Sequence, residues 1–429
     1  MVLKEKTLTP GDRVKLQTRD KEWEGNVLES YDSSVVLLKL NSGYNIGIKE
    51  DEILNVLVIE KVKEAEKKKV ILESNKELRN IAIVITGGTI SSRLDPKTGG
   101  VISTDAEEIL NIAPEIKKIC NIVKIEKPFM KWSENMAFGD WKSLAKVVSD
   151  LLNDKEIHGV VVTHGTDFLH YSASALSFFL RKLNKPVALT YSQRSIDRAS
   201  TDAAFNLVCA VRYAISDIAE VALIGHKNLD DEICLAMPGT KVRKMHASRR
   251  DSFKVINSTP IAEISSNKFN ILRNFNARNN GKVELDNHYN DNVALVQIYP
   301  GQDPEILSYY ADKGYKGIVL ELSGLGHIPA QDAKYNWLPK IKKIVDQGII
   351  IVGACQTIYG MLNPKVYSAG RDLEKTGIIY LKDILPETAF VKLAWVLGHK
   401  EWAKSKENIR EKMLENISGE FNDRLEFDF

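Results

Sequence analysis

Two short apolar runs end in polar, glycine-bearing turns, and the remaining pattern of the chain is arranged around them. Residues 81–86, Ile-Ala-Ile-Val-Ile-Thr, are apolar and mostly β-branched, and they stop at Gly87-Gly88. A continuous apolar run of this length marks a strand covered on both faces, as in a parallel sheet. Paired glycines after it permit a sharp turn and a close approach to the main chain, although such a pair also occurs for packing alone. Thr89 follows at the carboxyl end of the strand, where open α/β sheets hold their ligands. The second run, residues 160–163, leads into His164-Gly165-Thr166-Asp167 and then a helical pattern over residues 171–183. Two strand ends thus deliver a threonine each to one edge of one sheet. A hydroxyl beside a carboxylate, facing another hydroxyl, points to nucleophilic catalysis.

From residue 81 onward strand and helix patterns alternate. Helices are expected over residues 104–112, 141–152 and 202–215, the first with Asp105, Glu107 and Glu108 at the end that the helix dipole favours. Strands are expected at 186–190 and 221–224. This succession predicts a doubly wound α/β domain over residues 80–275. The polar stretch 276–292 reads as a linker. After it, strands at 293–299, 317–322 and 349–353 alternate with helices at 304–312 and 337–346. They form a second, smaller α/β domain over residues 293–429, with helical patterns at 387–397 and 400–417. Residues 419–429 are either a frayed tail or a docking element.

The first sixty residues have a different period. Five short strand-like runs (13–18, 23–29, 35–40, 44–49 and 53–59) are separated by Pro10-Gly11, Asp32-Ser33-Ser34 and Asn41-Ser42-Gly43. This pattern predicts an SH3-like or Tudor-like β-barrel over residues 1–60. Such a unit either binds a partner or RNA or is a passive appendage. A charged linker, 61–79, follows. Its Lys67-Lys68-Lys69 either touches a phosphate backbone or is a solvated charge run.

Composition narrows the function. The chain of 429 residues has room for two or three domains, and 44% apolar content supports sizeable cores. A net charge of +2 with interleaved signs gives no case for nucleic-acid binding by the whole surface. Cys120, Cys209, Cys234 and Cys355 are scattered without a C-x-x-C pair, as expected of free thiols in a reducing cytoplasm. No metal is expected, because the eight histidines show no H-E-x-x-H or zinc spacing. The amino terminus has no apolar core of a signal peptide, and no apolar run is long enough to span a bilayer.

The segments Thr86-Gly87-Gly88-Thr89-Ile90 and His164-Gly165-Thr166-Asp167 resemble the two signatures of the L-asparaginase/glutaminase family in order and spacing. The resemblance covers residues 80–399. The N-terminal unit and the run 192–207 resemble one branch of that family, the D subunits of archaeal glutamyl-tRNA(Gln) amidotransferases. The fold implied is the asparaginase-like pair of doubly wound parallel sheets, preceded by the small barrel.

The resemblance implies Thr89 as nucleophile, with Thr166, Asp167 and a lysine as its proton relay. Lys244, in Gly-Thr-Lys-Val-Arg-Lys-Met, matches the family lysine by its spacing from Asp167 and by the downstream Ser252-Phe253, with Arg243 as the competing cation. Burial lowers a lysine pKa and a neighbouring carboxylate raises it, so its resting proton state stays open here. Ser133 matches the position that contacts the substrate α-carboxylate, and it is equally readable as a plain loop serine. Asp167 would also hold the α-amino group. Main-chain N–H groups near Gly88 or Gly165 would supply the oxyanion donors. His164 is read as fixing its loop rather than as a base.

Three departures from the family pattern bear on substrate choice more than on the nucleophile. Phe168 replaces the usual threonine, Ala199 a usual proline, and the loop after Thr89 lacks a tyrosine, leaving Thr98 and Gly99 as candidates for a different closure. The activity implied is hydrolysis of glutamine to glutamate and ammonia. Ammonia would pass to a partner E subunit, which with ATP and Mg converts Glu-tRNA(Gln) to Gln-tRNA(Gln), an amidotransferase (carbon–nitrogen ligase) activity of the complex. No G-x-x-x-x-G-K-[ST] loop is present, in keeping with ATP chemistry on another chain and no cofactor in this one. The resemblance also implies a D-subunit homodimer within a heterotetramer, with the loop 323–327 a candidate to reach a neighbouring site. The competing readings are a free-standing L-asparaginase and a non-catalytic RNA- or partner-binding scaffold.

Overall fold

The computed structural model describes residues 8–30, 32, 34–42, 44–61, 75–94, 101–103, 111–198 and 200–425. Residues 104–110 of the first expected helix, Lys67-Lys68-Lys69, Thr98, Gly99 and Ala199 lie outside the described residues.

The N-terminal unit is a five-stranded antiparallel sheet. Its strands are Arg13–Gln17, Glu22–Leu28, Val35–Leu40, Asn45–Lys49 and Asn55–Glu60. Arg13–Gln17 lies between Glu22–Leu28 and Asn55–Glu60, so the first and last strands of the unit pair. The period-2 alternation turns Val14, Leu16, Val27, Val36, Leu38, Ile48 and Val56 inward into a core of their own.

The larger α/β unit is built on an eight-stranded sheet. Asn80–Ile85 pairs in parallel with Asn121–Glu126 on one side and Gly159–Thr163 on the other. The parallel series continues through Val187–Thr190 to Val221–His226. Three antiparallel strands, Cys234–Pro238, Ala262–Ile264 and Phe269–Ile271, then complete the edge. The sheet is therefore parallel only in its first five strands. The antiparallel additions are short and have no long apolar run to announce them.

Successive residues point to opposite faces, which explains the unbroken apolar pattern. Ala82, Val84, Val160 and Val162 pack with the helices Phe138–Asn153 and Leu169–Phe179. Ile81, Ile83, Ile85 and Val161 pack with the helix Ala203–Ala214. The chain leaves Asn80–Ile85 to one side and returns to Gly159–Thr163 on the other. The topological switch point lies between these two strands, and so does the crevice at their carboxyl ends.

The second unit has four parallel strands in sequence order, Val293–Gln297, Gly317–Leu322, Ile350–Cys355 and Ile379–Tyr380. Glu305–Asp312 and Leu338–Asp346 cover one face. The helix Pro386–Gly398 covers the other, and its Ala389, Leu393 and Trp395 join the core of the larger unit. One hydrophobic core thus runs through both α/β units.

Two expected helices are shorter than their patterns. The pattern over 171–183 ends at Phe179, because Leu180–Arg181 pairs with Glu284–Leu285 from the linker and Lys182 takes φ 52°. The pattern over 400–417 resolves into the turn Trp402–Lys404 and the helix Lys406–Leu414. Ser405 is extended there and caps the helix by accepting from Asn408 N. The described part of the closing segment, residues 419–425, docks through Glu420 and Phe421, which are buried.

Candidate active site

The turn after Asn80–Ile85 is shaped by close main-chain packing. Gly87 and Gly88 have φ of 111° and 79°. A Cβ on Gly88 would lie 2.3 Å from Gly165 Cα, and one on Gly87 would lie 2.4 Å from Lys131 O. No other residue type fits at either position. The first threonine loop therefore presses against the second, and Thr89 and Thr166 each follow a contacting glycine by one residue. Thr89 opens the short turn Thr89–Ser91, and Thr86 Oγ1 donates to Thr163 O at 2.9 Å, tying the two strand ends together.

The second loop is held from below by His164. Its Nδ1 lies 2.7 Å from Gly165 O and its Nε2 2.8 Å from Ser172 Oγ, which also accepts from Trp141 Nε1. Burial pushes this ring down to about 4, so it stays neutral at physiological pH. With both nitrogens engaged inside the protein, His164 fixes the loop. Ser133 holds the same loop from above. Its buried Oγ accepts from Asp167 N at 3.0 Å and from Phe168 N at 3.3 Å. The Phe168 ring, partly exposed, packs edge-on against Tyr171 at 5.3 Å.

Lys244 ends the strand Val242–Lys244, which pairs with Phe253–Val255 and places Lys244 opposite Phe253. Its Nζ donates to Thr166 Oγ1 at 2.9 Å and to Asp167 Oδ1 at 2.6 Å. Asp167 is more than half exposed, whereas the lysine side chain is nearly covered. Arg243 projects from the opposite face of the same strand and pairs with Glu387 at 3.1 Å. Of the two competing cations, Lys244 is the one that reaches Thr166 and Asp167.

Behind this layer lies a buried group that the sequence did not reveal. Burial raises the pKa of Glu387, with Arg243 opposing, and burial followed by the charge of Glu387 raises that of Glu321. His170 Nε2 is 3.8 Å from Glu387, and burial pushes His170 down to about 3. These four residues come from four separate elements, so no local motif could have indicated them. The run 192–207 also contributes. Asp202 accepts from the main chain of Gln193 and Arg194, and Gln193 Nε2 donates to Ser252 Oγ at 2.7 Å, next to the partner strand of Lys244.

A glycine-tightened strand end bearing a threonine, beside a Thr-Asp pair bridged by lysine, belongs to the asparaginase class of amidohydrolases. The chain matches the models described as Asparaginase, N-terminal, over residues 80–277, and Glutaminase/Asparaginase C-terminal domain over residues 292–413. The thermostable L-asparaginase from Thermococcus kodakarensis superposes with a TM-score of 0.70 at 30% identity, covering 80% of this chain and all of that one. L-asparaginase I from Vibrio cholerae gives 0.69 at 27% identity, covering 80% and 99%. Residues 8–59 match the GatD N-terminal domain. The glutamyl-tRNA(Gln) amidotransferase D subunit of Pyrococcus furiosus is 46% identical over 97% of this chain and 96% of its own. That of Thermococcus kodakarensis is 45% identical over the same shares. The chain belongs to the family of glutamyl-tRNA(Gln) amidotransferase D subunits.

Proposed function

We propose that this chain is the glutaminase subunit of a tRNA-dependent amidotransferase and that Thr89 is its nucleophile. The observation that carries the reading is Lys244 bridging Thr166 and Asp167 on the loop whose Gly165 abuts Gly88. Thr89 Oγ attacks the side-chain carbonyl carbon of glutamine, and its proton passes through Thr166 to the Lys244–Asp167 pair. Main-chain N–H groups beside Gly88 and Gly165 hold the tetrahedral oxyanion. Collapse, with the proton held by the Lys244–Asp167 pair passed to the leaving nitrogen, releases ammonia and leaves a glutamyl ester on Thr89, which water then cleaves to glutamate.

Substrate binding uses groups whose remaining valences are suited to it. Ser133 Oγ accepts two main-chain N–H groups, which leaves its proton for the substrate α-carboxylate. Asp167 Oδ1 is taken by Lys244, which leaves Oδ2 for the α-ammonium. This chemistry needs no cofactor in this chain. As one component of an amidotransferase, the chain has partner subunits. The finer reading is that a partner E subunit uses ATP and Mg to turn Glu-tRNA(Gln) into Gln-tRNA(Gln) with the ammonia released here. It also includes a D-subunit homodimer inside a heterotetramer, in the cytoplasm. The domain division is proposed at 1–60, 61–79, 80–275, 276–292 and 293–429. Among the described residues no helix is long and apolar enough to cross a membrane.

The test is ammonia release from glutamine or asparagine, with and without partner subunit and charged tRNA. Glutamine turnover that rises with both is the expected result. Robust asparagine turnover by the chain alone would make it a free-standing asparaginase. Thr89→Ala should lower glutaminase turnover at least about a thousandfold, and an unchanged rate would remove Thr89 from the mechanism.

A further inference from the structure

Asp286 and His288 of the linker meet His399, at the end of the helix Pro386–Gly398, outside the threonine site. His399 Nδ1 lies 2.8 Å from Trp395 O. A main-chain carbonyl only accepts, so Nδ1 carries the hydrogen. The other nitrogen, Nε2, then presents a lone pair, yet it lies 2.8 Å from Asp286 Oδ1. His288 Nδ1 approaches the same oxygen at 3.0 Å, and one atom from each of the three residues lies within 4.8 Å of the others. Two acceptors at this distance need a hydrogen or a cation between them, and a cation there would also be within reach of His288.

We propose that Asp286, His288 and His399 form a site for a divalent first-row transition metal ion, of which zinc is the representative. Two imidazole nitrogens and a carboxylate oxygen are a donor set such ions take, with the other positions left to water. Bonds of about 2.1 Å meeting between a right angle and the tetrahedral angle have their ends about 3.0–3.4 Å apart, so the present separations of 2.8 and 3.0 Å open by a few tenths of an ångström when the ion enters. Two of the ligands are held in advance. The His399 ring stacks on Trp402 with centroids 3.7 Å apart, and the main-chain oxygen of Asp286 accepts from Trp395 Nε1 at 3.1 Å. His288 is exposed and closes the site. The ion fastens the linker to the helix that carries the core shared by the two α/β units. Spacing rules miss this set because its ligands are up to 113 residues apart.

The experiment uses the tag-free full chain, stripped with chelator and titrated calorimetrically with zinc chloride. Cobalt(II) chloride serves as a visible-absorbance probe of the ligand set. The expected result is one equivalent bound, at least tenfold more weakly by His288→Ala and by Asp286→Asn. Zinc should also raise the unfolding temperature of the unmodified chain and not that of His288→Ala. His288 is exposed, so this variant keeps its fold. Uptake below one equivalent, or uptake unaltered by His288→Ala, would overturn the proposal and leave the three side chains a hydrogen-bonded cluster only.

Discussion

Lys241 and Lys244 stand three residues apart and their carboxylate partners set them to different work. Lys241 is fully buried, and its Nζ donates to Asp383 Oδ2 at 2.6 Å. Asp383 also accepts from the main chain and side chain of Asn422, so this pair fastens the closing segment to the second unit. Lys392 repeats the arrangement with Glu420 at 2.6 Å, both buried, and Glu420 further accepts from Ile417 N and Ser418 N. Burial lowers the pKa of Lys241 and of Lys392, and their carboxylates oppose that shift. Lys244 differs in that its partner Asp167 faces solvent and its second acceptor is a hydroxyl. A buried pair whose further partners are all protein groups is structural. A pair with one solvent-facing carboxylate and a hydroxyl on the far side can exchange a proton with a substrate.

The comparison predicts a separation of effects. Lys244→Met should lower glutamine turnover about 10²- to 10⁴-fold, with unfolding free energy changed by no more than about 1 kcal/mol. Ammonia release and denaturant melts on the same preparation check both halves. Comparable losses in the two would erase the distinction. Lys392→Met should behave in the opposite way. Leaving Glu420 buried without its cation costs about 3–5 kcal/mol of stability, while turnover per folded molecule is retained. Adding Glu420→Gln to that variant should recover part of the loss.

Beneath the site, buried imidazoles stay neutral at physiological pH. His164 titrates near 4 in the folded protein, below the 6.5 of an unperturbed ring. A depressed folded pKa means that this contribution is fully present above pH 6.5 and is lost as pH falls through about 4. It amounts to roughly 3 kcal/mol, and His170, at about 3, adds loss in the same direction. Denaturant midpoints between pH 7.5 and pH 4.5 should fall steeply, and His164→Gln should flatten the slope. The smallest effect is expected at Ser133→Ala. It removes the acceptor for two main-chain N–H groups, costs about 1–2 kcal/mol, and should raise KM for glutamine more than it lowers kcat. An effect confined to kcat would argue that Ser133 serves the chemistry instead of substrate positioning.

The large elements were legible because their signals are local. Residues 81–85 and 160–162 are apolar without interruption, and both runs lie in central parallel strands. The antiparallel edge was not legible. Strands such as Ala262–Ile264 and Phe269–Ile271 are three residues long, and pairing with a neighbour is what makes them strands at all. Helix ends slipped for a similar reason. Leu180 and Arg181 continue a helical pattern, but the linker residues Glu284 and Leu285 offer them a sheet partner. In the site, the two threonine loops could be read from their glycines, whereas the choice between Arg243 and Lys244 could not. That choice depends on which face of the strand meets Glu387, a residue more than 140 positions away.

The sequence by itself determined the two threonine turns, the order of the α/β units and the small β unit ahead of them. Each rests on periodicity or on glycine and turn chemistry over a few neighbouring residues. Only the tertiary structure decided which cation reaches Thr166, which lysines are buried against the closing segment, and that Asp286, His288 and His399 converge. Those outcomes depend on burial and on partners supplied by distant segments, and no pattern along the chain encodes either until the core has formed.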